Sequence, residues 1–331
     1  MKSEDISIQH YRVKFVEQIL VNLDNNSKGD IFAAIAAFID WKQAFNRQDP
    51  RLGIESFIEN GVRPSLIPAL INYFQERSLF VKWHNKQSKK RNLNGGGPQG
   101  GTFGILEYLS QNNKNANCLK ENRKWKLVDD LTILEIINLI TIGMSSFNVT
   151  NQVPNDIHID KNYIINQNLE TQTNINDISE WTEKLKMMLN IKKTNYMIFN
   201  FTNNHQFNTR INIEGTNIEE KNQVKHLCTI ISNNLSWEEN TKLQVKKANA
   251  RMCLLRAVSS FNPPSSDLKL IYIQYVRSLL EQSCVVWHAS LTQEDKENIE
   301  RVQKNALRII LKISYINYEN SNFDETQKLK L

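Results

Sequence analysis

The chain is poor in cysteine, with only four among its 331 residues. Cys118, Cys228, Cys253 and Cys284 are scattered, and no two of them form a CxxC pair. This pattern excludes a zinc knuckle. It is typical of reduced thiols in an intracellular compartment.

Long apolar runs are also absent. No stretch approaches the roughly 18 consecutive apolar residues that are needed to span a bilayer. The N-terminal segment MKSEDISIQHYRVKF has no apolar core of the signal-peptide type. We therefore expect neither a signal peptide nor a membrane anchor, and an intracellular protein.

The chain has more basic than acidic residues. The net charge is +6, from 41 basic and 35 acidic residues. This excess suits a polyanionic partner such as nucleic acid without requiring one, because many basic proteins bind nothing anionic.

The apolar periodicity predicts a mixed α+β protein. Apolar residues recur every four positions from Tyr11 to Leu23 and predict a helix, and the run IFAAIAAFID predicts a buried strand that ends at Asp40. Residues 125–137 hold two apolar runs around an acidic pair and predict a β-hairpin. From Trp237 to about Lys312 the pattern is helical, in three segments.

Three aspartates are candidate metal ligands. Asp40 ends the first predicted strand, and Asp129 and Asp130 lie near the turn of the predicted hairpin. Hard carboxylate oxygens are the ligands that Mg²⁺ prefers, together with water and substrate phosphates. Because consecutive residues of a strand point to opposite faces, we expect Asp129 to be the principal ligand of the pair. The alternative is that the pair only forms a turn or a helix cap.

Four motifs occur in the order FIDWKQAF, GGGPQGG, LVDDL and LNIKKTNYMIF. Together they resemble the palm motifs of reverse transcriptases, most closely those of non-LTR (LINE-type) retrotransposons. The later stretches HLCTIISNNLSW, SLLEQSCVVWHASLT and NIERVQKNALRII resemble the primer-grip and thumb region of the same elements. The resemblance implies a right-hand polymerase: a palm, which is an antiparallel sheet with helices, followed by an α-helical thumb bundle.

The resemblance also implies a domain arrangement. Residues 1–30 are expected to form an N-terminal helix left from fingers or palm, with the fingers largely missing. The palm is expected at 31–235, the helical thumb at 236–315 and a polar tail at 316–331.

The site residues follow from the same resemblance. Asp40, Asp129 and Asp130 match the ligands of two Mg²⁺ ions, which Mn²⁺ can replace, and Lys193 matches a lysine placed near the triphosphate as a general acid. Phe45 matches the aromatic that closes off the space for a ribose 2′-hydroxyl. The loop residues that match the nucleotide-binding motif are Gly97, Pro98, Gln99 and Gly100. The implied partners are an RNA template, a DNA primer and deoxynucleoside triphosphates, and the implied location is the nucleus.

Further basic residues are weaker candidates for nucleic-acid contacts. Lys89, Lys90 and Arg91, with Lys82 and Lys86 before them, either track a template backbone or form an exposed loop. In the first thumb-like helix, Lys247 and Arg251 lie opposite an apolar face and are expected to lie along a duplex.

Three functions are compatible with these observations. The first is RNA-directed DNA synthesis, a nucleotidyl transfer to a primer 3′-hydroxyl. The second is a degenerate or repurposed palm and thumb fragment that binds nucleic acid without catalysing. The third is an α+β protein whose acids are structural.

Overall fold

The computed structural model describes residues 8–24, 32–93, 95–97, 101–112, 124–127, 129–138, 162–164, 169–201 and 206–312. The chain divides into two compact units. We call Glu17–Asn222 the sheet unit, and Met1–Val16 together with Gln223–Leu331 the helical unit.

A five-stranded sheet forms the centre of the sheet unit. Its strands are β1 (Phe32–Ile39), β6 (Lys124–Leu127), β7 (Asp130–Asn138), β9 (Asn195–Asn200) and β13 (Glu219–Glu220), in the order β13-β9-β1-β7-β6. Strand β1 pairs antiparallel with both β7 and β9. Because it is covered on both faces, it needs no polar alternation, and the sequence FAAIAAFI is apolar throughout.

The sheet unit also contains helical segments. They are α2 (Pro50–Glu59), a 3₁₀ turn (Pro64–Leu66), α3 (Ile67–Phe74), α4 (Thr102–Asn112) and α5 (Glu170–Lys184). Helix α5 buries Ile175 and Ile178 in the core beside β1 and β7. Its N-terminus has no cap from its own flanking residue, and the Glu135 carboxylate on β7 accepts hydrogen bonds from the N–H groups of Glu170 and Thr171 instead. A buried carboxylate thus satisfies the free N–H groups of the helix and complements its dipole.

Short strands complete the sheet unit. A narrow ribbon contains β2 (Ser78–Leu79), β3 (Lys82–Trp83), β4 (Lys86–Gln87) and β5 (Arg91–Asn92), with β2 paired to β5 and β3 paired to β4. The other short strands are β8 (Asn162–Ile164), β10 (Gln206–Asn208), β11 (Asn212–Ile213) and β12 (Thr216–Asn217). Strand β10 pairs with β8, and β11 pairs with β12.

The helical unit begins, after the first turns of α1 (Ile8–Asp24), with a hairpin of β14 (Gln223–His226) and β15 (Thr229–Ser232). Helices follow: α6 (Glu238–Ser259), α7 (Ser265–Ile271), a π-helical turn (Tyr272–Arg277), α8 (Ser278–Leu280), α9 (Cys284–Trp287), a 3₁₀ turn (His288–Ser290) and α10 (Gln293–Leu311). The Thr292 hydroxyl caps α10 by accepting a hydrogen bond from the N–H of Asp295.

The apolar core of this unit lies where α6, α7 and α10 meet, and it includes Ala248, Met252, Leu255, Val302 and Ile310. The predicted apolar face of the first long helix is therefore confirmed.

The predicted α+β class is confirmed, as are the strand ending at Asp40, the hairpin at the acidic pair and the helical C-terminal region. The two compact units divide after Asn222. The palm at 31–235 and the thumb at 236–315 stay predictions. The predicted polar tail lies outside the described residues. Among the helices that are described, none is both long and apolar enough to cross a bilayer.

Candidate active site

Asp40 is fixed by the turn that precedes β9. Its backbone N–H donates to the Thr194 hydroxyl at 3.2 Å, and its carbonyl accepts a hydrogen bond from the N–H of Asn190 at 2.8 Å. The Asn190 side-chain amide also donates to the Asp40 carboxylate, with 2.9 Å between Nδ2 and Oδ2. Three contacts from one turn therefore set the position of this carboxylate at the end of β1.

The register of the sheet brings the acidic pair to the same place. Ile39 of β1 lies opposite Leu131 of β7, so Asp40 and Asp130 are the next residues at that edge of the sheet. Asp130 begins β7 and is half-buried, and Asp129 lies exposed in the turn. Burial, with the negative charges of Asp129 and Asp40, raises the pKa of Asp130 to about 6. The three predicted metal ligands therefore lie close enough for their charges to interact.

An aromatic pair lies beside the acids. Phe45 stacks on Tyr108 of α4, with ring centroids 4.6 Å apart and an interplanar angle of 30°. Tyr108 is fully buried, and its pKa is raised first by burial and then by the charges of Asp129 and Asp130. Tyr108 thus contacts Phe45, the ring predicted to exclude a ribose 2′-hydroxyl, and the negative charges of Asp129 and Asp130 act on its hydroxyl.

The glycine loop, which we define as Gly95–Gly97, is hydrogen-bonded to the segment that carries Phe45. The N–H of Gly97 donates to the carbonyl of Phe45 at 2.8 Å, and the N–H of Gly96 donates to the carbonyl of Gln48 at 2.8 Å. A Cβ on Gly97 would collide with the Oε1 atom at the end of the Gln48 side chain, so another residue at position 97 requires that side chain to shift. The close neighbours of Gly97 are the side chains of Gln48 and Glu107.

Buried polar side chains lie behind the loop. Glu107 is 0% exposed, and neither its carboxylate oxygens nor the amide of Gln48 has a hydrogen-bond partner among the described residues. Burial raises the pKa of Glu107 to about 7, while the positive charge of Arg77 lowers it and the negative charge of Asp49 raises it. An acid without partners in this environment holds its proton near neutral pH.

The remaining predicted site residues are less well defined. Lys193 lies in the same turn as Asn190, and its side chain is exposed. Pro98, Gln99 and Gly100 lie outside the described residues. In the helical unit, Lys247 is half-buried, and Arg251 donates a hydrogen bond to the carbonyl of Tyr275 at 3.1 Å.

Sequence reasoning missed four contributors to this site: Asn190, Tyr108, Gln48 and Glu107. Asn190 begins the predicted turn NIKKTN, and an asparagine at a turn is ordinarily read as a local feature. Tyr108 and Glu107 lie on a helix that the sequence analysis did not single out. Only the pairing of distant segments shows that these side chains face the acids or the glycine loop.

Carboxylate oxygens suit a divalent cation. The pKa of Asp130 is raised first by burial and then by the negative charges of Asp129 and Asp40, which a cation would offset. In the part of the chain that the structure describes, no three His, Cys, Asp or Glu side chains are grouped closely enough to hold a metal ion. The carboxylates of Asp40, Asp129 and Asp130 are the type of donor that Mg²⁺ takes.

Asp40 lies beside a hairpin that carries Asp129 and Asp130. The resemblance to the palm motifs of reverse transcriptases implies this arrangement. No protein-family model matches the chain. The chain is 22% identical over 291 residues to a probable RNA-directed DNA polymerase from transposon BS of Drosophila melanogaster. This relative confirms the resemblance to reverse transcriptases that the ordered motifs indicate.

The alignment covers 85% of this chain, and the chain spans only 29% of the length of that relative. Among solved structures, the chain is similar to telomerase from Candida albicans, in complex with a fragment of telomeric RNA. That similarity has 11% identity and a TM-score of 0.36, and it covers 96% of this chain and 54% of that one.

Proposed function

We propose that this chain is the palm and thumb portion of a non-LTR retrotransposon reverse transcriptase, which extends a DNA primer on an RNA template. The observation that carries the proposal is the register that sets Asp40 beside Asp130 at one end of the sheet, with Asp129 next to Asp130 in the exposed turn. The motif order and the transposon relative support it.

The reaction is a nucleotidyl transfer. The primer 3′-oxygen forms a bond to the α-phosphorus of a deoxynucleoside triphosphate, and the bond from that phosphorus to pyrophosphate breaks. Asp40, Asp129 and Asp130 would hold two Mg²⁺ ions, which supply charge stabilisation for the attacking and leaving oxygens. The hydroxyl proton passes to solvent, and Lys193 protonates the leaving pyrophosphate as a general acid.

The incoming nucleotide lies against the Phe45 ring and the glycine loop in this proposal. Phe45 excludes a ribose 2′-hydroxyl, and the backbone at Gly97 permits close approach of the base and sugar. Pro98, Gln99 and Gly100, which lie outside the described residues, are assigned to nucleotide binding by the resemblance to the family motif alone.

Contacts to the nucleic acid are made by basic side chains. Lys89, Lys90 and Arg91 neutralise phosphates of the template, and Lys247 and Arg251 lie along the duplex. The resemblance to proteins of non-LTR retrotransposons also supports a nuclear location.

Primer extension tests the proposal. On poly(rA)/oligo(dT) with Mg²⁺, we expect the wild-type protein to extend the primer, and Asp40→Asn or Asp129→Asn to reduce the rate roughly 100-fold or more, because the charge that holds the metal is lost. Glu55→Gln, which removes an exposed carboxylate of α2, serves as the control and should leave the rate unchanged. If all variants are equally silent while duplex binding persists, the chain is a non-catalytic nucleic-acid-binding fragment.

A second measurement tests the assignment of Phe45. We expect Phe45→Ala to incorporate ribonucleotides more readily, because the ring no longer fills the space of the 2′-hydroxyl. Phe103→Ala, which removes an exposed ring from α4, is the control. Unchanged sugar discrimination in the Phe45 variant would remove Phe45 from this role.

A further inference from the structure

The ribbon between α3 and the glycine loop is an exposed arm, which we define as Arg77–Leu93. The N–H of Leu93 donates to the carbonyl of Arg77 at its base, and the N–H of Ser88 donates to the carbonyl of Val81 halfway along. Trp83 and Lys86 form the last pair before the turn at its tip. Every residue from Ser78 to Leu93 is exposed, so the arm contributes no side chain to the core of the sheet unit.

The arm holds the excess positive charge of the chain. From Arg77 to Leu106 the sequence has six basic residues and no acidic one. Removing these six from the 41 basic residues leaves 35, which equals the number of acidic residues. In the described part of the chain, no ion pair neutralises the arm's basic side chains, namely Lys82, Lys86, Lys89, Lys90 and Arg91. The arm is therefore an uncompensated cationic surface that fits a polyanion.

Aromatic side chains lie between these charges. Trp83 is 74% exposed, whereas Trp41, Trp237 and Trp287 are buried. Trp83 lies directly opposite Lys86, so the indole and the ammonium group project from the same face of the ribbon. Phe80 is also exposed and, three residues earlier, lies on the other face. A large ring held in water next to a cation can stack on a base whose phosphate the cation neutralises.

We infer that the arm binds single-stranded nucleic acid, with Trp83 as a base-stacking platform and the basic side chains as phosphate contacts. Stacking on Trp83 requires an unpaired base face, which a duplex does not present. A membrane surface fits less well, because apolar and basic residues occur on both faces of the ribbon rather than on opposite faces. This inference deepens the proposed function, since it assigns the unpaired template strand to the arm.

Binding without nucleotides tests this assignment separately from synthesis. Fluorescence anisotropy of a labelled oligo(rU) is measured with the full chain, together with circular dichroism of each variant. We expect Trp83→Ala to weaken binding roughly tenfold and Trp83→Phe to retain most of the affinity, because a ring can still stack. Phe261→Ala is the matched control, since that ring is 84% exposed in the helical unit.

The charge contribution has its own readout. We expect Lys86→Gln to reduce the slope of log affinity against log salt by about 0.7, the value for one phosphate contact on a single strand. The control is Lys225→Gln, which removes an exposed cation from β14. Bound oligo(rU) should also quench indole emission in the wild type and quench it less in Trp83→Phe.

Four outcomes overturn the inference: no binding by the wild type, equal binding by Trp83→Ala, equal affinity for duplex, or preference for anionic vesicles over oligo(rU). Loss of primer extension with Trp83-dependent binding intact would contradict only the polymerase proposal. Extension that is intact while Trp83→Ala binds normally would contradict only the assignment of the arm.

Discussion

In the helical unit, the side chains between α6 and α10 are apolar, as Ala248, Leu255 and Val302 illustrate. In the sheet unit, the space between α2, α4 and the glycine loop holds Gln48 and Glu107 instead. The helical unit buries polar groups too, among them Asn240 and Gln244 and the ionisable side chains of Arg12, His226 and Asp295. The two interiors therefore differ in which ionisable groups they bury, and the sheet unit buries the carboxyl group of Glu107 behind the glycine loop.

Several ionisable groups with strongly shifted pKa values lie in the sheet unit, which also holds the candidate site. Burial shifts the pKa of Asp130 to about 6, of Glu107 to about 7 and of Lys126 to about 7, all within the sheet unit. The helical unit buries His226, whose Nε2 lies 3.2 Å from the Tyr11 hydroxyl. Groups with shifted pKa values tend to gather at functional sites, and in the sheet unit Asp130 is one of the three acids and Glu107 lies behind the glycine loop.

The largest expected effect concerns the apolar core of the helical unit. Leu255→Ala should lower the free energy of unfolding of that unit by about 2–5 kcal/mol, because it leaves a cavity in a well-packed interior. The measurement is hydrogen exchange in α6, with β1 of the sheet unit as the internal reference. Leu254→Ala, on the exposed side of the same helix, is the control and should change little. Equal effects of both variants would contradict a packed apolar core.

Glu107 makes the stability of the sheet unit depend on pH between about 4.5 and 7. Its pKa is about 7 in the native state and 4.5 when unfolded, so the native state keeps a proton that the unfolded state has lost between these values. The free energy of unfolding should therefore fall by roughly 3 kcal/mol as pH rises from 4.5 through 7.

The variant Glu107→Gln removes this titration and should be the more stable protein at pH 8, with little difference at pH 4. Hydrogen exchange in β1, corrected for the intrinsic rate, measures the change. Glu55→Gln is the matched control on a solvent-exposed carboxylate. A wild-type pH profile that survives in Glu107→Gln would rule out this group as the source.

His226 gives the helical unit the opposite dependence. Burial, then the charge of Arg12, lowers the pKa of His226 from 6.5 to about 4. Its stabilising contribution is present above pH 6.5 and is lost as pH falls through 4, by roughly 2–3 kcal/mol. Exchange in β14 should show this loss in the wild type, and His226→Gln should flatten it. His288→Gln, on an exposed histidine, should retain the wild-type profile.

The smallest expected effect is at a helix end. Thr292→Ala removes the hydroxyl that caps α10 and should destabilise the helical unit by about 1 kcal/mol, whereas Thr292→Ser should restore most of the loss. Exchange at the N-terminal turn of α10 measures both variants. An alanine variant as well protected as the wild type would show that the cap contributes nothing.

Much of the fold follows from local patterns. The apolar run of β1 predicts a buried strand, the period of α6 predicts its buried face, and Thr292 predicts the start of α10. The contacts around the site do not follow in the same way. Asn190 lies 150 positions from Asp40, and Tyr108 reaches Phe45 from a helix after the glycine loop. Long-range contacts of this kind leave no periodic trace in the sequence, because they depend on how separate elements pair.

The sequence by itself determined the α+β class, the order of the motifs and the three acids that mark the candidate site, because apolar periodicity and turn residues act over a few positions. Only the tertiary structure decided that β1 and β7 pair in a register which sets Asp40 beside Asp130. It also decided that Glu107 is buried behind Gly97 and that the basic arm with Trp83 is exposed. The burial of a side chain and the electrostatic potential at it depend on neighbours from distant segments, so both are set only once the chain has folded.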